Sequence, residues 1–363
     1  MISTQTALAE LIDRIAGIPQ IAIDTEADSL HSYFEKICLI QIGIPDENLL
    51  VDPLADINLQ PLFDALAPKR LVLHGADYDL RLLNRSLRFE AADLFDTMIA
   101  SRLCGFDQLG LAALVERFFG VTLSKASQKA NWALRPLSPQ MVEYALNDTR
   151  YLLELGRILE EKLHELGRWE WFRESVGRMA AAAREVKVRD DETAWRISGS
   201  AALPPRALSV LRILWQWRDA EARAWDRPPF HVLGNADLLR IAEKASAGQA
   251  FSTPRMSGRR KKSFDVMIAL ALQIPESEWP GPRRGKRTRP GKGVLARLGK
   301  LRATRDRVAQ ELALDPSIIA PRSALEATAE DPDGDALMNW QRNLLGLPPA
   351  GSSPSPETGE LFS

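Results

Sequence analysis

Hydrophobic and polar positions change their period along this chain. Through the first hundred residues, short apolar runs alternate with turn formers. "QIAIDTE", "KICLIQIG" and "NLLVD" read as a meander of three strands, and "RLVLHG" and the start of "LFDTMIASRLCG" as two more. Between them, "LQPLFDALA", "ADYDLRLLNRSL" and the rest of "LFDTMIASRLCG", closed by Gly105, have helical spacing, as does the N-terminal "MISTQTALAELIDRIAG". From about 108 to 185 the period is helical. "SPQMVEYALNDTRYLLELGRILEEKLHELG" carries Ser138 in the N-cap position and Pro139 at the first helical position. After a break at "VRDDETAWRISGSAALPPR" come two helical stretches, separated by "PGPRRGKRTRPGKG", and then a polar tail, "PPAGSSPSPETGELFS". The pattern predicts a mixed α/β domain over 1–190, helical units over 200–280 and 290–348, and a disordered tail over 349–363.

Composition narrows the class. The 363 residues are 45% hydrophobic and 26% charged, ordinary for a soluble globular protein. No apolar run reaches the roughly 18 residues of a membrane span. The N-terminus lacks a basic segment leading an unbroken apolar core, so no signal peptide is expected and the location is read as cytoplasmic. Cys38 and Cys104 lie in apolar contexts without metal-type spacing, which predicts buried free thiols. Four scattered histidines argue against an imidazole metal site. The net charge of −1 conceals an asymmetry: residues 1–100 hold 16 acids against 7 bases, and residues 255–307 hold 16 bases against 4 acids. That split suits an acidic site in one domain and a polyanion contact in another, although a solvated basic linker accounts for the second half equally well.

The chemistry gathers at three places. Asp24 and Glu26, two apart at the end of a β-rich run, project to one face of an extended strand. Side-by-side carboxylates cost free energy unless a cation neutralises them, and hard divalent ions favour such oxygens. An exposed strand end explains an isolated Asp-x-Glu just as simply. "LVLHGADYDLRLL" then places His74 and Gly75 between strand and helix, with Asp79 in the first helical turn, where the helix dipole favours an acid in any case. In "EYALNDTRYLL", Tyr144 and Asp148 share a helix face at i, i+4.

Taken together, this ordered set resembles the four-carboxylate (DEDD) 3′–5′ exonucleases in their tyrosine-bearing branch. "DTEADSLHSYFEKICLIQIG", "HGADYDL" and "SKASQKANWALRPLSPQMVEYALNDTRYLLEL" look like ribonuclease D and its exosome-associated relatives, over roughly 20–165. The helical stretch 203–278 resembles the HRDC domain that RecQ-type helicases share with ribonuclease D, and 293–347 does so more faintly. The resemblance implies a ribonuclease H-like mixed-sheet fold, and Asp24, Glu26, Asp79 and Asp148 as holders of two divalent ions, Mg²⁺ or Mn²⁺. Asp24 would bridge the ions, Asp79 would act on the second through water, and Tyr144 would orient the attacking water. It implies RNA with a free 3′ end as substrate, tRNA precursors above all, nucleoside 5′-monophosphates as products, and no obligate protein partner. His74, Lys125, Gln128 and Trp132 become candidate substrate contacts, with packing an equal explanation for Trp132. Asn131 departs from the Asp that often precedes this Trp in the family. A DNA 3′–5′ exonuclease and a catalytically silent RNA-binding scaffold stay open as alternatives. "GPRRGKRT" fails as a phosphate-binding loop, since no strand precedes it and its glycines are misplaced. "SGRRKKS" and the Trp/Arg-rich "LRILWQWRDAEARAW" are weaker candidates for nucleic-acid contact.

Overall fold

The computed structural model describes residues 1–185, 189–281 and 290–351. A first helix, α1 (Gln5–Ile15), is capped by Thr4, whose side chain accepts from the Ala7 amide, and buries Leu8, Leu11 and Ile15. The predicted meander follows as β1 (Gln20–Ala27), β2 (Ile37–Ile44) and β3 (Glu47–Val51). Next come α2 (Gln60–Leu66), β4 (Arg70–Leu73), α3 (Asp77–Leu87), β5 (Asp93–Asp96) and α4 (Thr97–Leu103). The five strands form one mixed sheet in the order β3-β2-β1-β4-β5. β2 runs antiparallel to β1 and β3, whereas β4 pairs parallel with both β1 and β5. Every residue of β2 is buried, as expected for a central strand covered on both faces.

One detail of register positions the site. The β1–β4 ladder stops at Ala22↔Val72, while β1 continues to Ala27 against β2 alone. Beyond Ala22 one edge of β1 is therefore released from the sheet, and Asp24 and Glu26 lie on this overhang.

The helical region begins with α5 (Leu111–Phe119) and resumes with α6 (Pro139–Arg150), α7 (Leu152–Glu165) and α8 (Trp169–Arg184). Ser138 caps α6 as expected, accepting from Met141. Two features depart from the periodicity. The path is non-helical from 121 to 138, and the long predicted helix breaks at Tyr151. α6 packs against β2 and β3 and α7 against β1, β2 and β4, so the break lets two helices follow different parts of a twisted sheet.

After α9 (Asp191–Ala194), the first helical unit comprises α10 (Pro205–Trp225), α11 (Pro229–Val232), α12 (Asn235–Ser246) and α13 (Gly258–Leu272). Trp215 and Trp217 lie in its core, together with Trp195, which precedes the expected start at 200. This unit grips the loop after β1: the Tyr33 amide donates to Asp226 at 3.0 Å, the Tyr33 hydroxyl to Asp219 at 3.0 Å, and Arg227 to the His31 carbonyl at 2.7 Å. The second unit, α14 (Lys292–Leu312), α15 (Pro316–Ile319), α16 (Arg322–Glu330) and α17 (Asn339–Leu344), has its own small core around Leu301, Ile319 and Leu325. Its Trp340 instead joins the core of the α/β domain, stacked on Trp171 with centroids 4.9 Å apart. Most of the basic linker, 282–289, and most of the predicted tail, 352–363, lie outside the described residues. Cys38 and Cys104 are free thiols, the first buried and the second half-buried.

Candidate active site

The overhang of β1, the start of α3 and the face of α6 converge on one cleft of about 670 Å³. Carboxylate oxygens of Asp24, Glu26 and Asp148 all lie within 4.8 Å of one another. Asp79 stands outside that trio but lines the same cleft. One of its oxygens is committed: Asp79 Oδ1 accepts from the Thr25 amide at 3.1 Å and from the Thr25 hydroxyl. This contact follows from the register. With β4 ended, the Thr25 N–H has no strand partner on that side, and a buried donor needs an acceptor. Asp79 thus does more than complement the dipole of α3: it ties the start of that helix to the overhang of β1. Asp96 holds the turn ahead of α3, accepting from Gly75 (3.2 Å) and Ala76 (2.7 Å), and caps α4 by accepting from Met98 and Ile99.

Glycine is required twice. Gly75, at φ +73°, makes the left-handed turn that sends the chain from β4 into α3. Gly43 allows α6 to approach the sheet: a Cβ there would lie 3.0 Å from Ala22 Cβ and 3.1 Å from Thr149 Cβ. That approach brings Asp148, one residue before Thr149, over the strand bearing Asp24.

Burial and mutual repulsion raise the proton affinity of every acid. Burial, then Asp79, Asp148 and Glu26, holds Asp24 well above its ordinary range. Burial first, then Asp148 and Asp79, pushes Glu26 up to about 9. Asp148 rises to about 7, through burial and the Asp79 charge. Asp79 reaches about 6, burial outweighing the opposing hydrogen bonds from Thr25. Such a cluster does not fully ionise at neutral pH by itself. It fits a hard divalent cation, whose charge offsets the repulsion and which takes oxygen donors of this kind. The Tyr144 hydroxyl is also shifted upward, by burial and then by Asp148, Glu26 and Asp24, so it stays protonated at neutral pH.

The structure brings His74, Lys125 and Gln128 to the cleft wall. His74 is held by its Nδ1, 2.9 Å from the Thr97 hydroxyl, which itself donates to the Leu73 carbonyl. Thr97 having spent its proton, Nδ1 carries the ring hydrogen and Nε2 keeps the lone pair. Burial lowers the His74 pKa, which keeps the ring neutral. Trp132 corrects the sequence expectation. It is 1% exposed, does not line the cleft, and packs under the site with its ring 5.9 Å from that of Tyr144. A large apolar ring beneath α6 contributes more by burial than it could at the wet surface. Asn131 closes the turn before it, accepting from Ala133 at 3.1 Å. Sequence reasoning missed Thr25, whose side chain faces Asp79, and Tyr78, 45% exposed on the cleft wall. Alternation along β1 was the available signal for Thr25; none marked Tyr78.

Comparison with known proteins matches this geometry. The profile of a 3′–5′ exonuclease family aligns with residues 1–164, and that of the HRDC domain with residues 207–262. Ribonuclease D of Gluconacetobacter diazotrophicus is 30% identical, over 95% of this chain and 90% of its own. That of Xanthomonas oryzae is 32% identical, over 93% of this chain and 94% of its own. This chain belongs to the ribonuclease D family. It is a 3′–5′ exoribonuclease, and its acidic cluster implies metal-dependent hydrolysis. Its fold is similar to that of Escherichia coli RNase D, described as an exoribonuclease involved in structured RNA processing, with TM-score 0.69 and 26% identity over 91% of this chain and 89% of the other. The catalytic core of Trypanosoma brucei RRP6 aligns with TM-score 0.63 and 26% identity, over 75% of this chain and 79% of that one. The mixed sheet followed by helical units is thus the family architecture. No helix among the described residues is long and apolar enough to cross a membrane.

Proposed function

We propose that this chain hydrolyses the 3′-terminal phosphodiester of structured RNA, tRNA precursors above all, with Asp24, Glu26, Asp148 and Asp79 holding two divalent ions, Mg²⁺ or Mn²⁺. The observation that carries the reading is the convergence of three carboxylates within 4.8 Å at the floor of an open cleft. When bound, such ions activate a water, stabilise the departing 3′-oxygen and cancel the repulsion between phosphate and acids. The protein's own groups do the rest. Asp24, on the rigid overhang of β1, fixes the position of the cations. Tyr144, protonated and one helical turn before Asp148, donates or accepts a hydrogen bond that orients the attacking water; it is no base at neutral pH. His74, with Nε2 free of any protein partner, and Lys125 and Gln128, which line the same cleft, grip the last nucleotides. The units over 200–280 and 290–348 serve as separate HRDC-type domains that hold the body of the RNA.

A 5′-labelled tRNA precursor with defined 3′ trailers, incubated with Mn²⁺ or Mg²⁺, tests this. Stepwise shortening that stops near the mature end, is abolished by chelator and is lost in Asp24→Asn is expected. Equal cleavage by Asp24→Asn would remove the acid cluster from the mechanism. Faster trimming of DNA of the same sequence would replace the RNA specificity.

A further inference from the structure

Gln41, in the middle of β2, is fully buried, yet neither its amide nitrogen nor its amide oxygen has a protein partner. A buried amide that has given up its water without a replacement partner is destabilising, and native proteins keep few. Its place in the sheet suggests why it is there. Gln41 is the register partner of Asp24 across the β1–β2 ladder and of Leu50 across β2–β3. Directly opposed residues of an antiparallel pair point to the same face, with Cβ atoms about 4.5–5.5 Å apart. Along β2 the same face carries Leu39, which packs with Tyr144 and Ala145, and Gly43, which lies against Thr149. The amide thus lies under α6 and beside Asp24, beneath the cleft rather than lining it. On that face Gln41 stands beside Asp24 and Glu26, Gln20 and Asn48 are the other polar side chains of the row, and Asp148 comes down from α6.

Resting on the exonuclease reading above, we infer that Gln41 is a positioning residue for the metal-binding acids: its amide, unpartnered in the cation-free chain, sits at the register position from which its N–H would donate to the Asp24 carboxylate once bound cations hold that carboxylate ionised. Gln41 touches neither substrate nor ion. It fixes the orientation of one carboxylate, as the outer partners of metal ligands commonly do. A glutamine suits this role because its N–H can donate to an ionised carboxylate without adding charge to a site already crowded with acids.

The test compares wild type with Gln41→Met, similar in shape and without hydrogen-bonding groups, in the full chain. Titration calorimetry with Mn²⁺ alone is read beside melting temperature in chelator and kcat on labelled RNA. A melting temperature in chelator equal to or above wild type is expected, with Mn²⁺ affinity weakened about 10–100-fold and kcat reduced while KM holds. Unchanged Mn²⁺ affinity and kcat overturn the inference. So does loss of the fold in both Gln41→Met and the smaller Gln41→Leu, since an amide without protein partners does not hold a fold together. If wild type itself fails to bind Mn²⁺, or Asp24→Asn binds it equally well, the metal-site reading fails instead, and the two failures stay distinguishable.

Discussion

Replacing Asp148 by Asn should stabilise the metal-free protein, and the effect should grow with pH. In the folded chain, burial and the Asp79 charge raise the Asp148 carboxyl from its ordinary 3.8 to about 7. Because the folded value is the higher one, the unfolded chain releases this proton first as pH rises. The folded state therefore loses stability from about pH 4 and stops losing it near pH 7. At 1.36 kcal/mol for each pH unit of that difference, the loss is about 4 kcal/mol at pH 8. Where Asp79 takes up a proton in compensation, about 2 kcal/mol remains. Asn cannot ionise, so Asp148→Asn should exceed wild type by about 2–4 kcal/mol at pH 8 and by about 1–2 kcal/mol at pH 5. Against a typical total of about 5–15 kcal/mol, this is readily measured. Urea denaturation in chelator at both pH values reads it directly. Adding Mn²⁺ should narrow the difference, since wild type gains about 2.7 kcal/mol at a hundredfold excess over its Kd and the variant gains less. A variant less stable than wild type in chelator at pH 8, or one that gains as much from Mn²⁺, would refute the reasoning that repulsion among these acids is relieved by cations.

Other consequences follow from single contacts. Tyr144→Phe should lower kcat on the order of 10–10²-fold and leave the melting temperature unchanged, because a positioning hydrogen bond is lost without an ionising base; steady-state kinetics at saturating RNA checks this, and a kcat within twofold of wild type would remove the hydroxyl from catalysis. Thr25→Val should lower kcat about tenfold by freeing Asp79; an unchanged rate would show that the retained Thr25 amide suffices to hold this carboxylate. Arg135→Met should destabilise by about 3–5 kcal/mol in urea titrations. Its guanidinium donates to both oxygens of Asp52, at 2.7 and 2.6 Å, and to the Cys38 and Trp132 carbonyls. A loss below about 1 kcal/mol would mean that this junction between loop and strand behaves as a surface ion pair.

How much of this could be read from the chain alone depends on the range of the interaction involved. The strands and the α6 cap were legible because alternation, Ser138 and Pro139 act within a few residues. Asp24, Glu26, Tyr144 and Asp148 were legible because i, i+2 on a strand and i, i+4 on a helix share a face whatever the tertiary fold does. The break at Tyr151 was not, since nothing local forbids a helix through "NDTRYLLEL"; it reflects how α6 and α7 each meet the twisted sheet. The direction of Trp132 was not legible either, because an aromatic in a polar loop serves equally well inward or outward, and only the space beneath Tyr144 decides.

The site itself depends on a mismatch of lengths that no single segment reveals. β4 is four residues long and β1 is eight, so their parallel ladder is over by Ala22. Had β4 continued two residues further, the Thr25 amide would have bonded to it, and Asp79 would have lost the donor that now orients it. Gly75 ends β4 with a left-handed turn and starts α3 in its place, which puts an acid where a strand would have been. On the other face, Gly43 lets α6 descend until Asp148 meets Glu26 and Asp24. Two glycines thus act on opposite sides of one overhanging strand. A side chain at position 43 should push α6 outward and separate Asp148 from the other two carboxylates, even though position 43 touches none of them.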